Sequence, residues 1–286
     1  MKPKLLGMKV CSLIVLIATA VLAQAPPAPS GLGGSSTSTA NLVVPQQDAN
    51  AQKAAELLKQ CIAALGGQAY LTLQDMEQQG RTYSFYHGEP NSVGAPFWRF
   101  WKWPDKERVE FTKQRDVAVV HNGDEGFEIT FKGTAPEEPQ PLADFLRRRH
   151  YSLENVLRTW LPKPGTALFY DGAAVAEQKP ADAVSIINAE NEQVTLYLDV
   201  NTHLPIKKTF YWRDPKDRER NEEVEIYDNY RPVQGIMTPY SISRKRNGEM
   251  TNQRFINSVV YNQGLSDSLF AAKATYNPYK HSGPRE

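Results

Sequence analysis

Cysteine is scarce in this chain: Cys11 and Cys61 are the only two among 286 residues. Cys11 falls inside an N-terminal export signal, so cleavage leaves Cys61 without an intrachain partner and excludes a disulfide scaffold. Cys61 lies at helical spacing with Leu57, Leu58, Ile62 and Leu65, the pattern of a small buried apolar side chain. A long apolar run is also missing. Residues 11–22 form the apolar part of the signal, about a dozen residues where a bilayer span needs roughly 20. Lys2, Lys4 and Lys9 precede that run and Val21-Leu22-Ala23 closes it, which predicts a signal peptide over residues 1–23 cleaved before Gln24. Met8-Lys9-Val10 ahead of Cys11 is not a lipobox, so a protein without a lipid anchor, exported to the periplasm, is expected.

An excess of charge of either sign is absent too. Loss of the three signal lysines leaves 30 of the 33 basic side chains against 32 acidic ones, and a near-neutral balance argues against nucleic acid as a partner. Catalytic spacings are missing: there is no Gly-x-Ser-x-Gly, Ser-x-x-Lys, His-Glu-x-x-His, Cys-x-x-Cys or Gly-x-Gly-x-x-Gly, which lowers the expectation of an enzyme. His87, His121, His150, His203 and His281 stand singly, and structural or surface roles are expected for them. No cofactor, metal ion or catalytic residue is assigned.

What is present is strand after strand. Residues 24–48 are rich in Pro, Gly, Ser and Thr and predict a flexible leader. An amphipathic helix is expected over 50–65, stopped by Gly66-Gly67. Strand-like runs follow at 82–86, 97–103, 107–112, 117–121 and 126–131, with Asn122-Gly123 as a turn. A helical insertion over about 140–163 comes next, with one helix at 142–149 and a second capped by Ser152. In the second, Leu153, Val156, Leu157, Trp160 and Leu161 recur at i, i+3, i+4, i+7 and i+8, and Pro162 and Pro164 end it. An antiparallel ladder then runs to Phe270. Within it Val194, Leu196, Leu198 and Val200 alternate with Thr195, Tyr197 and Asp199, giving one buried face and one wet face. A single domain over 49–271 is expected, followed by a flexible tail over 272–286.

Two segments draw attention. Phe97-Trp98-Arg99-Phe100-Trp101-Lys102-Trp103 places aromatics on both parities of a strand, so it presents large apolar surface to both faces, either as the wall of a cavity or as core. Arg99 shares the parity of Phe97, Trp101 and Trp103, where a guanidinium can stack or bond a lid. Arg147-Arg148-Arg149 is the densest basic cluster. Because adjacent helical residues point in different directions, a solvated face is expected there rather than a patch for anionic head groups.

Ala64-Leu65-Gly66-Gly67, Gly80, Asn122-Gly123, Leu198-Asp199 with Leu204-Pro205-Ile206, Val233-Gln234-Gly235-Ile236 with Pro239, and Asn262 with Gly264-Leu265-Ser266-Asp267 and Phe270 occur in this order. Over about 52–270 the chain resembles the LolA-like periplasmic lipoprotein-carrier superfamily, with extra length around 136–163. The resemblance implies an α+β, mainly antiparallel fold: an incomplete, strongly curved half-barrel whose concave apolar face is covered by helices and receives acyl chains or another lipid-like ligand. Candidate ligand contacts are Trp98, Arg99, Phe100, Trp101 and Trp103 on the strand and Leu153, Val156, Leu157 and Trp160 on the lid. The expected partner of a monomeric, non-catalytic carrier is a lipid or an acylated protein, together with an inner- or outer-membrane envelope partner. The rival readings are a sensor of the same fold acting through protein contacts and, further off, an exported hydrolase.

Overall fold

The computed structural model describes residues 46–91 and 93–279. The expected signal peptide and the leader as far as residue 45 lie outside the described residues, as do His281 and the end of the tail. Helix α1 spans Gln46–Leu65, four residues longer at its start than the sequence pattern indicates, and α2 is the short turn Gln68–Leu71. Ala54, Leu57, Leu58, Cys61 and Leu65 form the buried stripe of α1. Gly66 ends it at φ +128°, where a Cβ would also press on the carbonyl of Gly235, so the Gly-Gly stop is both a conformational and a packing requirement.

The strands form one antiparallel sheet. They are β1 (Asp75–Tyr86), β2 (Glu89–Pro90), β3 (Ala95–Lys102), β4 (Lys106–Phe111), β5 (Val117–Asn122), β6 (Glu125–Thr130), β7 (Gly133–Pro136), β8 (Ala167–Ala176), β9 (Lys179–Ile187), β10 (Gln193–Asp199), β11 (Pro205–Arg213), β12 (Arg220–Val233), β13 (Ile236–Arg246) and β14 (Glu249–Tyr261). Their spatial order is β7-β6-β5-β4-β3-β1-β14-β13-β12-β11-β10-β9-β8, with β2 beside β1 alone. The chain thus starts in the middle, winds outward to β7, crosses to the far edge through α3 (Pro139–His150) and α4 (Leu153–Asn155), and winds back until β14 meets β1. The sheet does not close, and β7 and β8 remain its edges. Both edges are partly occupied, which blunts strand-to-strand association. Asn50 of α1 donates to the carbonyl of Tyr170 and accepts from its amide, at 2.8 and 2.7 Å, and Thr134 of β7 accepts from the amides of Thr275 and Tyr276, in the stretch expected to be a tail.

The β1–β14 seam bends at a bulge between Gln79 and Gly80. A Cβ on Gly80 would collide with the carbonyl of Phe255, so glycine there permits the sheet to curl. On the concave side Val194, Leu196, Leu198, Val184, Ile186 and Phe210 pack with the α1 stripe and with Val156, Leu157 and Trp160 in one core. The alternation read in β10 holds from Val194 to Asp199, with Val194, Leu196 and Leu198 fully buried and Thr195, Tyr197 and Asp199 not. Val200, expected on the buried face, lies past the strand end and is 36% exposed.

The convex side carries a cover that the sequence pattern did not indicate. After β14, Asp75 accepts the backbone amides of Gln263, Gly264 and Leu265 at 2.8–3.1 Å, which turns the chain back across the outside of the sheet. The 3₁₀ turn Asp267–Phe270 then packs on β4 and β5, held by Lys102, whose ammonium donates to Leu265 and Asp267. Phe270 is fully buried. Phe100, Arg108 and Val120 stand side by side on this outer face, and Phe100 and Val120 are buried.

Two outcomes are expected. Phe270→Ala removes the anchor of this cover and should destabilise the protein by about 3–5 kcal/mol, read by chemical denaturation. Burial pushes the Cys61 thiol up to about 12, so a thiol reagent should label it only after denaturant is added.

Candidate functional site

The concave face encloses a cavity of about 580 Å³. Its wall follows strand parity: Phe97, Arg99 and Trp101 on β3, Glu107, Val109 and Phe111 on β4, Tyr227 and Glu225 on β12, Ile242 and Arg244 on β13, and Arg254 on β14 all face it. One end is apolar or phenolic, built from Leu65, Tyr70, Leu73, Met76, Ile236, Met237, Leu153, Tyr230 and Tyr261. Burial, with the nearby Glu154 carboxylate adding to it, raises the Tyr70 and Tyr230 hydroxyls well above the ordinary phenol value. These hydroxyls therefore stay protonated.

The other end is ionic. Lys208, Glu225 and Arg244 are direct cross-strand neighbours on β11, β12 and β13, so the pleat sets them in a row. Lys208 is 1% exposed; its ammonium lies 2.7 Å from Glu225 and donates to the Tyr151 carbonyl at 2.7 Å. Arg244 Nε donates to Glu225 at 2.8 Å. Burial alone would raise the Glu225 carboxyl, but Lys208 and Arg244 outweigh it and hold this acid well below its usual range. Across the cavity Arg99 donates through Nε and Nη2 to Glu107 at 2.8 and 2.6 Å, and Glu107 is likewise lowered against its burial.

Helix α3 roofs this end. The expectation of a solvated arginine face is corrected here: each of the three arginines has a separate destination. Arg147 pairs with Asp144 and with Glu223 of β12, and its guanidinium lies 3.4 Å from the centre of the Trp212 ring. Arg149 donates to the carbonyls of Asp105 and Gly123 and to Asp124 on the opposite rim. Arg148, between them, lines the cavity. The roughly 100° between successive helical residues separates these directions, and two sheet rims and a cavity, rather than water, lie along them. On the same rim as Arg149, His121 is buried, bonds Glu137 at 2.8 Å and stacks on Phe145 of α3.

The nine candidate ligand contacts divide. Arg99, Trp101 and Leu153 line the cavity. Trp98 and Phe100 have the other parity and face outward, each with the Arg115 guanidinium about 5.5 Å from its ring centre. Trp103 lies beyond the end of β3, with Arg158 3.8 Å over its ring, and with Trp101 borders a smaller pocket of about 220 Å³. Val156, Leu157 and Trp160 are 0, 2 and 3% exposed in the core. Ser152 caps their helix by accepting from the Asn155 amide, but from Val156 to Trp160 the helix widens to a π turn. The charged residues Glu107, Glu225, Arg244 and Arg254 were missed because each sits at an inward position of a strand whose charges read as solvent-facing; strict parity along β12–β14 was the signal available.

Replacing Glu225 by Gln should leave Lys208 and Arg244 without a counter-charge and destabilise the protein by about 3–5 kcal/mol near neutral pH. Because folding lowers the Glu225 carboxyl from 4.5, its contribution is present above that value and is lost as pH falls through the lower folded-state value. Denaturation measured between pH 7 and pH 3 should accordingly show a gap between parent and Glu225→Gln that narrows with acid.

No family model matches the chain, and no curated protein matches it. Among solved structures, a DUF1329 family protein from Desulfovibrio piger ATCC 29098 superposes with a TM-score of 0.54 at 12% identity, covering 76% of this chain and 97% of its own. A domain assigned to outer-membrane lipoprotein sorting from Vibrio parahaemolyticus gives 0.52 at 13% identity, covering 77% and 97%. A LolA superfamily protein from Nitrosomonas europaea gives 0.46 at 13% identity, covering 78% and 98%. At these identities the first two likenesses concern the fold alone: an open antiparallel sheet with helices over its concave face.

Proposed function

We propose that the protein is an exported, non-catalytic binding or carrier protein of the cell envelope that holds the acyl chains of a lipid or an acylated protein against its concave face. The observation that carries this reading is the roofed cavity of about 580 Å³ with an apolar end built from α1, α2, α4, β1, β12, β13 and β14. Its volume falls in the range of roughly 300–1,000 Å³ usual for small-molecule sites. Each methylene transferred into it contributes about 0.8 kcal/mol, so a long chain binds tightly without any polar contact to its tail. The N-terminal charge and apolar pattern supports export to the periplasm, and the LolA-like fold is consistent with traffic of lipophilic cargo. A sensor acting through protein contacts would call for a contiguous exposed apolar patch. Among the described residues the most exposed large apolar side chains sit on separate hairpins, Tyr86 and Val93 on one, Phe131 on another and Val175 on a third.

Mass spectrometry of solvent extracts from protein purified out of its own envelope should reveal a long-chain lipophile. Trp101→Ala removes a cavity wall and should weaken binding of a fluorescent fatty acid by about tenfold or more, on the scale of a lost aromatic contact. Its denaturation midpoint must be measured alongside. Unchanged affinity with reduced stability would make Trp101 a core residue only, and a parent that binds no lipophile would end the carrier reading.

A further inference from the structure

Two arginines in the cavity lack a direct hydrogen-bond or ion-pair partner among the described residues, with carboxylates acting on them only at longer range. Arg254 makes no hydrogen bond or ion pair among the described residues, and its Nε is buried without an acceptor. It sits on β14 between Thr82 of β1 and Ile242 of β13, all three facing the cavity. Arg148 reaches the same space from α3 and likewise has neither hydrogen bond nor ion pair. Around them Arg99 and Arg244 are bound to Glu107 and Glu225, and Lys208 contributes a further positive charge behind Glu225. At the roof Asp144 and Glu223 neutralise Arg147 and Arg246, and of the other charges lining the cavity Lys106 and Arg149 are matched in number by Asp105 and Glu137. This end is thus left with a surplus of positive charge. Glu154 also lines the cavity and acts on Tyr70, Tyr230 and Tyr227, which reduces that surplus by one.

Resting on the carrier reading above, we propose that Arg254 and Arg148 form a head-group subsite for the carboxylate or phosphate of an anionic amphiphile, whose tail occupies the apolar end of the same cavity. Both side chains are only partly exposed, a guanidinium without a direct partner there is unfavourable, and a fixed fork of donors matches the oxygens of these two anions. The tools for this are distinct from those holding the fold, because the arginines that stabilise the sheet and the roof are already engaged. Burial first, then the neighbouring Arg244, pulls Arg254 down to about 9 and Arg148 to about 10, a penalty that a bound anion relieves.

The test compares a fluorescent long-chain fatty acid with its methyl ester on delipidated full-length protein, with inorganic phosphate as a third probe. The parent should bind the acid about tenfold or more tightly than the ester, as expected for a charge-assisted hydrogen bond. Arg254→Met and Arg148→Met should each shrink that preference, weakening binding of the acid several-fold more than that of the ester. Arg254→Met should melt at or above the parent's temperature when no ligand is present, because it removes an unpaired charge. If acid and ester bind the parent equally, the carrier reading stands and the head-group subsite is wrong; if neither binds, both fall. Protection by inorganic phosphate equal to that by the acid would also overturn the proposal, since a tail would then contribute nothing. Loss of ester binding and of stability in both variants would place these arginines in the scaffold and overturn it as well.

Discussion

Lys208 is the constraint on which the arrangement of the cavity depends. Its ammonium is buried under the junction of the two roof helices, bound to the Tyr151 carbonyl above and to Glu225 beside it. A lone buried ammonium is untenable, so Glu225 must face inward, and Glu225 in turn requires Arg244 to complete its coordination. The pleat carries the consequence across three strands, since inward residues can only be followed by inward residues two positions on. Tyr227, Ile242 and Arg254 are thereby directed into the cavity as well. The same ammonium ties the roof to the sheet: Tyr151 stacks on Phe210 of β11 with ring centres 4.3 Å apart, and α3 ends one residue earlier.

The roof is held by charge at both rims and by packing at its end. Arg147 and Arg246 share Asp144 and Glu223 on one rim, while Arg149 grips backbone carbonyls on the other. Below α4 the contacts are apolar, through Leu153, Val156, Leu157 and Trp160. These attachments differ in kind. Partly exposed ion pairs contribute little individually and weaken with salt, whereas the buried π turn is fixed by close packing.

Much of the fold was legible because the signals were local. Ser152 as a cap, Gly66 as a stop, Asn122-Gly123 as a turn and the alternation in β10 each depend on a few neighbouring residues. The β1–β14 pairing joins segments far apart in sequence, and nothing local specifies it. The two-sided aromatic strand is resolved by an equally distant element. Trp98 and Phe100 are covered or braced on the outside by the chain after Tyr261 and by Arg115, leaving Phe97, Arg99 and Trp101 for the cavity. The arginine run was misread for a simpler reason: the directions of its side chains follow from helix geometry, but what stands in those directions is tertiary.

A cavity that is apolar at one end and cationic at the other is a poor way to stabilise a fold. Apolar side chains of similar size in place of the buried charges would often be neutral or better, and filling the space would recover dispersion energy lost at its walls. The Lys208–Glu225–Arg244 row accounts for part of the cost, since each charge there meets an opposite one. Arg254 and Arg148 form no direct ion pair or hydrogen bond, and the carboxylates near them, Glu107 and Glu225 for Arg254 and Glu223, Asp144 and Glu225 for Arg148, act only at longer range. A residue that weakens the free protein without a structural return is most simply understood through the bound state, in which its charge is matched. On the proposed reading the two ends of the cavity would belong to one ligand, the apolar end setting affinity through chain length and the cationic end setting which chains, by their head groups, are accepted.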